Sequence, residues 1–525
     1  MNILCIDDPF RLSAAFAALG HTVFVARPDK FSPSLAQCIE ESGFTPDLVL
    51  QQEHLGRHVL VEGMERAPCP TMFLSIDAHL NLFWERFYAR LFDAVLTPHV
   101  SLFDALPPEW RHPLCLRCPP VGHDYPWRPF AARSVDIAFC GRITPHRQVR
   151  KWMVELLGQR YGLVARENLS FGDMMDCYAD ARLVPNEAIA REVNFRLLEA
   201  ASCGALVFSQ NVGPDQDAVF TARKEIRVCG DGVELVKELD WFRRRPDQAE
   251  KLGRAAWERV RREHLPLHRA ATILRFAKDL SANRATDGGH FWLACAQHAR
   301  SLRQYSGMAR LAEQRAERGG DLAARPECAA ARIRLLAECG QKAQALSLCR
   351  ELLDSNLFPG SLDFNCAASA CALRLDDFPL ARLFWLRHVT NSGDRARGKK
   401  ISPQSPVALC RAWAVILRRA GRMAQSGFQF ACESDQLPEC AFEFLLLAYS
   451  LDENDPETLR HLDSLCATLP AYAEFRLGIL ARRCLQEPEN RRLQQNYGKI
   501  SLAVYRVDEG LFELAAAKKM AGMEH

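Results

Sequence analysis

Short apolar runs bounded by turn residues recur through the first half of the chain. Asn2–Asp7 and His21–Ala26 read as strands, separated by a helix from about Pro9 to Leu19 and a turn at Gly20. Asp47–Leu50, Thr71–Ile76, Asp93–Thr97 and Leu114–Arg117 continue the series, with helical stretches between them. Strands that are apolar throughout and alternate with helices predict a parallel sheet covered on both faces. Ligands of such sheets bind at the carboxyl ends of the strands. That rule puts Asp7, Asp8, Glu53, Asp77, His79 and Thr97 near one rim. Pro119–Asp124, with Pro126 and Pro129 close behind, is dense enough in Pro and Gly to predict an exposed linker and a domain boundary near residue 130.

A second α/β unit begins at Val135–Arg142. Its further strands are predicted at Tyr161–Ala165, Arg182–Pro185, Ala205–Ser209 and Glu225–Cys229, and its helices from about Pro145, over 171–179, at Pro214, over 233–245 and over 246–263. From about 285 the texture changes: Ala, Leu, Arg and Cys dominate and β-branched residues thin out. Leu335–Gly340 followed by Ala343–Leu346 has the look of a helical hairpin. Leu373–Asp377 with Leu380–Leu383 repeats it, and Leu417–Gly421 with Ala424–Ser426 repeats it again after a Gly-, Lys- and Arg-rich insertion near 391–405. The period is close to that of tetratricopeptide repeats, which predicts an α-solenoid. The expected map is therefore α/β plus all-α, in three parts: 1–128, 129–282 and 285–525.

Composition changes this picture little. The 525 residues carry a net charge of +3, with 48% hydrophobic and 25% charged residues, an ordinary globular balance that gives no general drive toward nucleic acid. Basic runs such as Arg243–Arg245 and Arg261–Arg262 read as solvated helix faces. The 20 cysteines sit mostly in apolar contexts and read as reduced, buried thiols, with neither a zinc site nor a redox motif expected. No apolar run approaches the roughly 20 residues of a membrane span, and the N-terminus enters a strand without a leader-like segment, so a cytoplasmic location is expected.

The chemistry centres on Asn194-Phe-Arg-Leu-Leu-Glu-Ala-Ala-Ser-Cys-Gly-Ala205, a predicted helix, a turn at Gly204 and a buried strand. Asn194 can cap the helix. Arg196 and Glu199 are three apart and share one side of it. A cation and a carboxylate near a helix N-terminus suit a ligand with phosphate at one end and sugar hydroxyls at the other.

This segment resembles the donor-binding segment of glycosyltransferases with two Rossmann-like domains, the GT-B fold, and in particular the CgeB-like group, with Leu198 in place of the usual Phe. The resemblance extends to Gly141 at the end of the first strand of the second unit and to the order of elements after Pro214. It implies a metal-independent, hexosyltransferase-like enzyme that uses a UDP- or GDP-sugar as substrate and needs no other cofactor. Its implied donor-binding residues are Gly141, Arg142, Asn194, Arg196 and Glu199, with Glu199 on the ribose and Arg196 on the diphosphate. His146 and Arg147 would add charge near Gly141. The related retaining pattern is broken, since Arg191 stands eight before Glu199 and Glu192 seven before; Glu187, Arg191 and Glu192 are candidates for the sugar contact. On the acceptor side Asp77 and His79 are the candidate catalytic residues, with Asp77 as base and His54 a further option. The acceptor is expected to be a protein or a glycan held by the helical repeats.

The opening Ile-Asp-Asp-Pro resembles a response-regulator receiver, but Gln51-Gln52-Glu53 and Thr97-Pro98 stand where a phosphoacceptor and a Lys are needed. Asp215-Gln-Asp217 is similar to a manganese motif, but it follows Pro214, where acidic residues complement a helix dipole. An alternative function is a non-catalytic scaffold on a glycosyltransferase-like shell.

Overall fold

The computed structural model describes every residue except 55, 146, 283–288, 303–324, 393–401 and 524–525. Six strands make the first sheet: β1 (Asn2–Ile6), β2 (Thr22–Ala26), β3 (Leu48–Gln52), β4 (Thr71–Leu74), β5 (Ala94–Thr97) and β6 (Cys115–Arg117). They are all parallel, in the order β2-β1-β3-β4-β5-β6. Side-chain alternation sorts each strand between two cores. Ile3, Cys5, Leu48, Leu50, Met72 and Leu74 face one side, and Leu4, Ile6, Val49, Phe73 and Val95 the other. The second sheet joins β7 (Val135–Cys140), β8 (Val164–Arg166), β9 (Ala181–Asn186), β10 (Leu206–Gln210) and β11 (Arg227–Cys229) in the parallel order β11-β10-β9-β7-β8. Both sheets are Rossmann-like, as the GT-B resemblance implies.

The helices of the first unit are α1 (Leu12–Ala18), α2 (Leu35–Ser42), α3 (Ala78–Tyr88) and α4 (Val100–Asp104). Those of the second are α5 (Gln148–Tyr161), α6 (Phe171–Asp180), α7 (Phe195–Ser202), α8 (Pro214–Asp217), α9 (Gly232–Arg243), α10 (Pro246–Glu263) and α11 (Pro266–Lys278). Tyr161 ends α5 rather than opening a strand, because Gly162 takes the left-handed conformation (φ 67°) that closes a helix. Helix α11 crosses back: Ala270, Ile273, Leu274 and Ala277 pack into the core beneath β1 and β3.

The linker departs from expectation. Pro119, Pro120, Val121 and Gly122 are buried. Arg269 of α11 donates to the carbonyls of Pro119 (2.7 Å) and Pro120 (3.3 Å), and Gly122 N–H donates to His264 O (2.7 Å). The returning helix covers the segment: Arg269 supplies donors to the Pro carbonyls, and the Pro nitrogens, without N–H groups, need no acceptors.

The remaining helices are α12 (Gly289–Leu302), α13 (Pro326–Glu338), α14 (Lys342–Asp354), α15 (Leu362–Arg374), α16 (Phe378–Asn391), α17 (Pro406–Arg419), α18 (Ala441–Leu451), α19 (Pro456–Cys466), α20 (Ala473–Gln486), α21 (Arg491–Ala503) and α22 (Val507–Met523). The pairs α13/α14 and α15/α16 start at Pro326/Lys342 and Leu362/Phe378, the same offset twice. The third expected hairpin is not formed. After Gly421 the chain runs without helix to Cys440, including Ala424–Ser426. This segment is used for docking instead. Arg422 pairs with Asp363 (2.6 Å) and with Glu109 of the first unit (3.2 Å). Gly427 lies so close to α3 that a Cβ would stand 1.6 Å from Leu80 O. The insertion near 391–405 falls largely outside the described residues.

The helical region touches both α/β units. Phe291, Trp292 and Ala296 of α12 complete the core that holds Phe73 and Trp84. Beneath them Arg300 bonds Glu338 (2.8 Å) and Glu439 (2.7 Å), and Glu439 also meets Arg86 of α3 (3.3 Å). At the far end Tyr505 packs with Phe208, Leu235 and Leu239 of the second unit.

All 20 cysteines are free. Cys115 and Cys118 are spaced as Cys-x-x-Cys, a pair that the reading of the cysteines did not register. They point to opposite faces of the first sheet, so they cannot bridge. Burial pushes their thiols up to about 12 and about 11.

Candidate functional site

The order of the second sheet reverses between β7 and β9, and a crevice at such a switch point is where a doubly wound sheet holds a ligand. Here the sequence places Gly141 after β7 and the 187–193 loop after β9. Asn194 caps α7 as expected, its Oδ1 accepting from Leu197 N–H (3.2 Å) while its amide donates to Glu187 O (3.2 Å). Arg196, in the first turn, is buried. Its Nε donates to Cys140 O (3.0 Å) and its Nη1 to Asn186 Oδ1 (3.1 Å) and Glu187 O (3.3 Å). The guanidinium stacks 4.3 Å over the Phe139 ring and ties the ends of β7 and β9 together. Its Nη2 lies under Gly141 (φ 152°), where any Cβ would meet it at 2.5 Å, so only glycine allows this turn.

Glu199 stands one turn farther on. Its carboxylate makes no hydrogen bond or ion pair among the described residues. Burial pushes it up to about 7, against the pull of Arg196. Arg142 is exposed, and neither its side chain nor that of Arg147 has a partner among the described residues. His146 lies outside the described residues.

The 187–193 loop carries two successive non-glycine residues in the left-handed region, Ala190 (φ 51°) and Arg191 (φ 61°). Each such residue costs on the order of 1–3 kcal/mol and persists only where its surroundings enforce it. The loop is pinned at Glu187 by Arg150 Nε (2.7 Å) and at Ala188 by the Gln210 side chain (3.0 Å). At its far end Glu192 Oε2 meets His79 Nε2 at 2.7 Å, joining the second unit to the first.

His79 sits in the first turn of α3, and Asp77 at its N-cap position. Glu53, just after β3, builds that turn: its Oε2 accepts from Ile76 N–H (2.6 Å) and Asp77 N–H (2.7 Å), and its Oε1 from the Asn81 amide. Burial, reinforced by the nearby Asp77 charge, pushes Glu53 up to about 7. Glu85 lies beside it, accepts from Ser75 Oγ (2.7 Å) and is raised well above the carboxylate range by burial and by Glu53. The Asp77 side chain makes no capping bond. Burial raises its pKa against the pull of His79. Burial alone would lower His79, but the Glu192 bond and the charges of Glu192, Asp77 and Glu53 outweigh it and hold it raised. His79 Nδ1 is buried without a hydrogen-bond partner among the described residues. His99, 5.5 Å away ring to ring, is driven down to about 3 by burial and by His79.

Other residues of the expected rim do local work. Asp8 caps α1, accepting from Leu12 N–H (2.7 Å), and also accepts from the Gln52 amide (2.9 Å). Thr97 Oγ1 accepts from His99 N–H (3.1 Å). His54 Nδ1 accepts from Gly56 and Arg57 N–H, which makes it part of a turn. Asp7 (φ 56°) keeps a buried Oδ2 without a hydrogen-bond partner among the described residues. Asp215 clamps the two units, accepting from Ser101 N–H (3.2 Å) and pairing with Arg117 (3.1 Å). Among the described residues no group of three His, Cys, Asp or Glu could hold a metal ion, and no described helix is long and apolar enough to cross a membrane.

A cavity of about 390 Å³ opens at the ends of β9, β10 and β11. Arg147, Glu187 and Arg191 line it from the α/β side, and Ala471, Glu474 and Val504 roof it from the helical region. Sequence reasoning did not find this roof, nor the His79–Glu192 pair: each joins residues more than a hundred positions apart.

Residues 138–275 match the model of a family described as glycosyl transferase-like. No curated protein sequence matches the chain. Among solved structures, Anabaena HepE in complex with UDP and glucose is similar over 53% of this chain and 100% of its own, at 13% identity and a TM-score of 0.38. A glycosyltransferase from Rickettsia africae is similar over 53% and 98%, at 12% identity and a TM-score of 0.40. The chain spans 58% of the length of the chain it matches in the GtfA/B complex, and the match covers 46% of this chain at 11% identity and a TM-score of 0.35.

Proposed function

We propose that this protein is a glycosyltransferase that moves a sugar from a nucleotide-diphosphate sugar, UDP- or GDP-linked, to a protein or glycan acceptor presented by the helical region. One observation carries the reading. Within the 138–275 segment that matches the glycosyl transferase-like family, Glu199 offers a carboxylate without a partner among the described residues, one turn into a capped helix at the sheet's switch point. Ribose hydroxyls donate to Glu199. Arg142 and Arg147 neutralise the diphosphate, and Arg191 reaches the same cavity. Arg196 holds the Gly141 turn and the 187–193 loop in register and adds its charge from below. Fixed cations stabilise the departing diphosphate without a metal ion. On the opposite side Asp77 takes the acceptor hydroxyl's proton. His79, oriented by Glu192, stands beside it.

The test is thermal shift of the full chain against a panel of nucleotide sugars and nucleoside diphosphates, with and without EDTA. Stabilisation by one nucleotide diphosphate that survives EDTA is expected. Stabilisation by none refutes the reading and favours a scaffold on a glycosyltransferase-like shell. That second reading draws on Arg196, whose Nε and Nη1 are spent on the protein itself.

A further inference from the structure

The cavity at the ends of β9, β10 and β11 does not stop at the α/β units. Ala471 and Glu474, in its roof, also form the near end of an open groove of about 800 Å³ along α20. The floor of the groove is aromatic and aliphatic, with Tyr472, Phe475 and Ile479 on one side and Tyr449 across from them. Phe442 braces Tyr472 and Phe475 from behind, at ring centroid distances of 4.5 and 5.1 Å. Between them the floor is clear, since nothing lies within 4 Å of where a Cβ on Gly478 would stand. Leu485, 83% exposed, forms the outer lip.

The polar groups of the groove form a fixed net. Arg482 donates to Tyr449 Oη (2.9 Å) and Asn454 Oδ1 (3.0 Å), and the Gln486 amide donates to Asn454 O (2.9 Å). Glu474, at the junction with the cavity, makes no hydrogen bond or ion pair among the described residues, and burial raises its pKa. Of the usual ways of holding a peptide, this helical groove offers no sheet edge and no cluster of like charge, only an aromatic lining of the kind that also takes a proline-rich segment. Aromatic faces beside an ordered net of amide, phenol and guanidinium groups suit a sugar ring, apolar on its C–H face and hydrogen-bonding at its rim.

We propose that the groove is the acceptor path and takes an uncharged oligosaccharide, which enters along α20 past Glu474 into the cavity. This rests on the glycosyltransferase reading and adds to it the class of acceptor and its direction of entry. The full chain is tested on an immobilised array of neutral oligosaccharides and on a peptide array, while binding of UDP and GDP is followed separately by calorimetry. The parent binds a subset of the glycans. Gly478→Trp, whose Cβ meets nothing within 4 Å and whose ring intrudes on the groove, loses that binding tenfold or more. Leu485→Asp, at a side chain largely in solvent, weakens it at least threefold. Both variants keep the parent's nucleotide affinity. If Gly478→Trp melts early, Leu485→Asp decides alone. The proposal is overturned if the variants bind glycans as the parent does, if the parent binds peptides alone, or if it binds no member of the glycan array. Glycan binding by a parent that binds no nucleotide leaves the groove standing and removes the glycosyltransferase reading instead.

Discussion

His79 and Glu192 join the two α/β units through an ion pair that is almost wholly buried, 4% and 9% exposed, with an N···O distance of 2.7 Å. Replacing Glu192 by Gln keeps the size and the acceptor oxygen but removes the charge. A hydrogen bond to a charged group is worth about 1.5–3 kcal/mol and a neutral one about 0.5–1.5, so the exchange should cost about 1–2 kcal/mol while His79 is protonated. His79 is raised in the folded protein, so its contribution is complete below its unfolded value and fades as pH rises through the folded one. Burial opposes the Glu192 charge, but the His79 bond and the His79, His99 and Arg196 charges leave it lowered, so its contribution is complete above its unfolded value and fades on acidification. Both are fully present between roughly pH 4.5 and 6.5. Urea denaturation of the parent, Glu192→Gln, His79→Gln and the double variant, at about pH 6 and pH 9, gives the coupling energy by a double-mutant cycle. The coupling should be about 1–2 kcal/mol larger at the lower pH than at the higher, where the neutral imidazole can still donate Nε2–H to the carboxylate. A coupling that is absent at pH 6, or equal at both values, refutes the assignment of a charged bridge.

Glu199→Gln should weaken calorimetric binding of the preferred nucleotide sugar about ten- to a hundredfold, the worth of a charge-assisted bond, and parental binding should tighten as pH rises through about 7, where Glu199 ionises. Glu85→Gln mimics a carboxyl that stays protonated in the fold, so by urea denaturation it should stabilise the protein by about 1 kcal/mol at pH 8 and change little at pH 5, where the raised carboxyl is already neutral. Gly427→Ala forces a methyl into Leu80 O and should lower stability by about 2–4 kcal/mol in the same assay; a neutral result would mean that the 421–440 segment does not dock on α3 as described.

What the sequence made legible was local. Apolar runs such as Ile3–Ile6 and Leu206–Phe208 declare buried parallel strands because each side chain meets a core on its own face. Asn194 declares its cap because the bond it makes spans only three residues. The failures have physical causes of the opposite kind. The Pro-rich segment at 119–122 reads as exposed, but α11, some 150 residues later, covers it and supplies Arg269. Ala424–Ser426 has helical composition, but Arg422 and Gly427 are committed to the first unit, and tertiary contact overrides propensity. His54 and Asp8 read as site residues by position at strand ends, yet their polar atoms satisfy nearby backbone donors first. In the site, residue types were visible, but pairings were not: Glu192 was one of three candidates for a sugar contact until the fold set it against His79.

The helical region's two anchors differ in kind, and that difference bears on how a substrate enters. At the first unit it is held by Arg300, Glu338, Glu439 and Arg86, charges taken fully out of water. Parting such groups strands an unpaired buried charge, at a cost of about 3–5 kcal/mol. At the second unit the contact is mostly apolar, Tyr505 against Phe208, Leu235 and Leu239, with Val507 near Gly232 and the Arg506 guanidinium 5.2 Å over the Trp152 ring. Apolar surfaces are non-directional and can shift by small amounts without leaving a donor or charge unpaired. Motion that widens the 390 Å³ cavity should therefore move the second unit against the helical region, while the first unit and the helical region travel together. Three elements stand in the way of that motion, the strained Ala190–Arg191 turn, the His79–Glu192 bridge and the Asp215 clamp, and the first two belong to the one loop that lines the cavity and faces the crevice. Weakening of the bridge above the raised His79 value would loosen that loop at its first-unit end while Arg150 and Gln210 still hold it at the other. Substrate access and the charge state of His79 are then linked through a single loop, so opening of the cavity should become easier as pH rises.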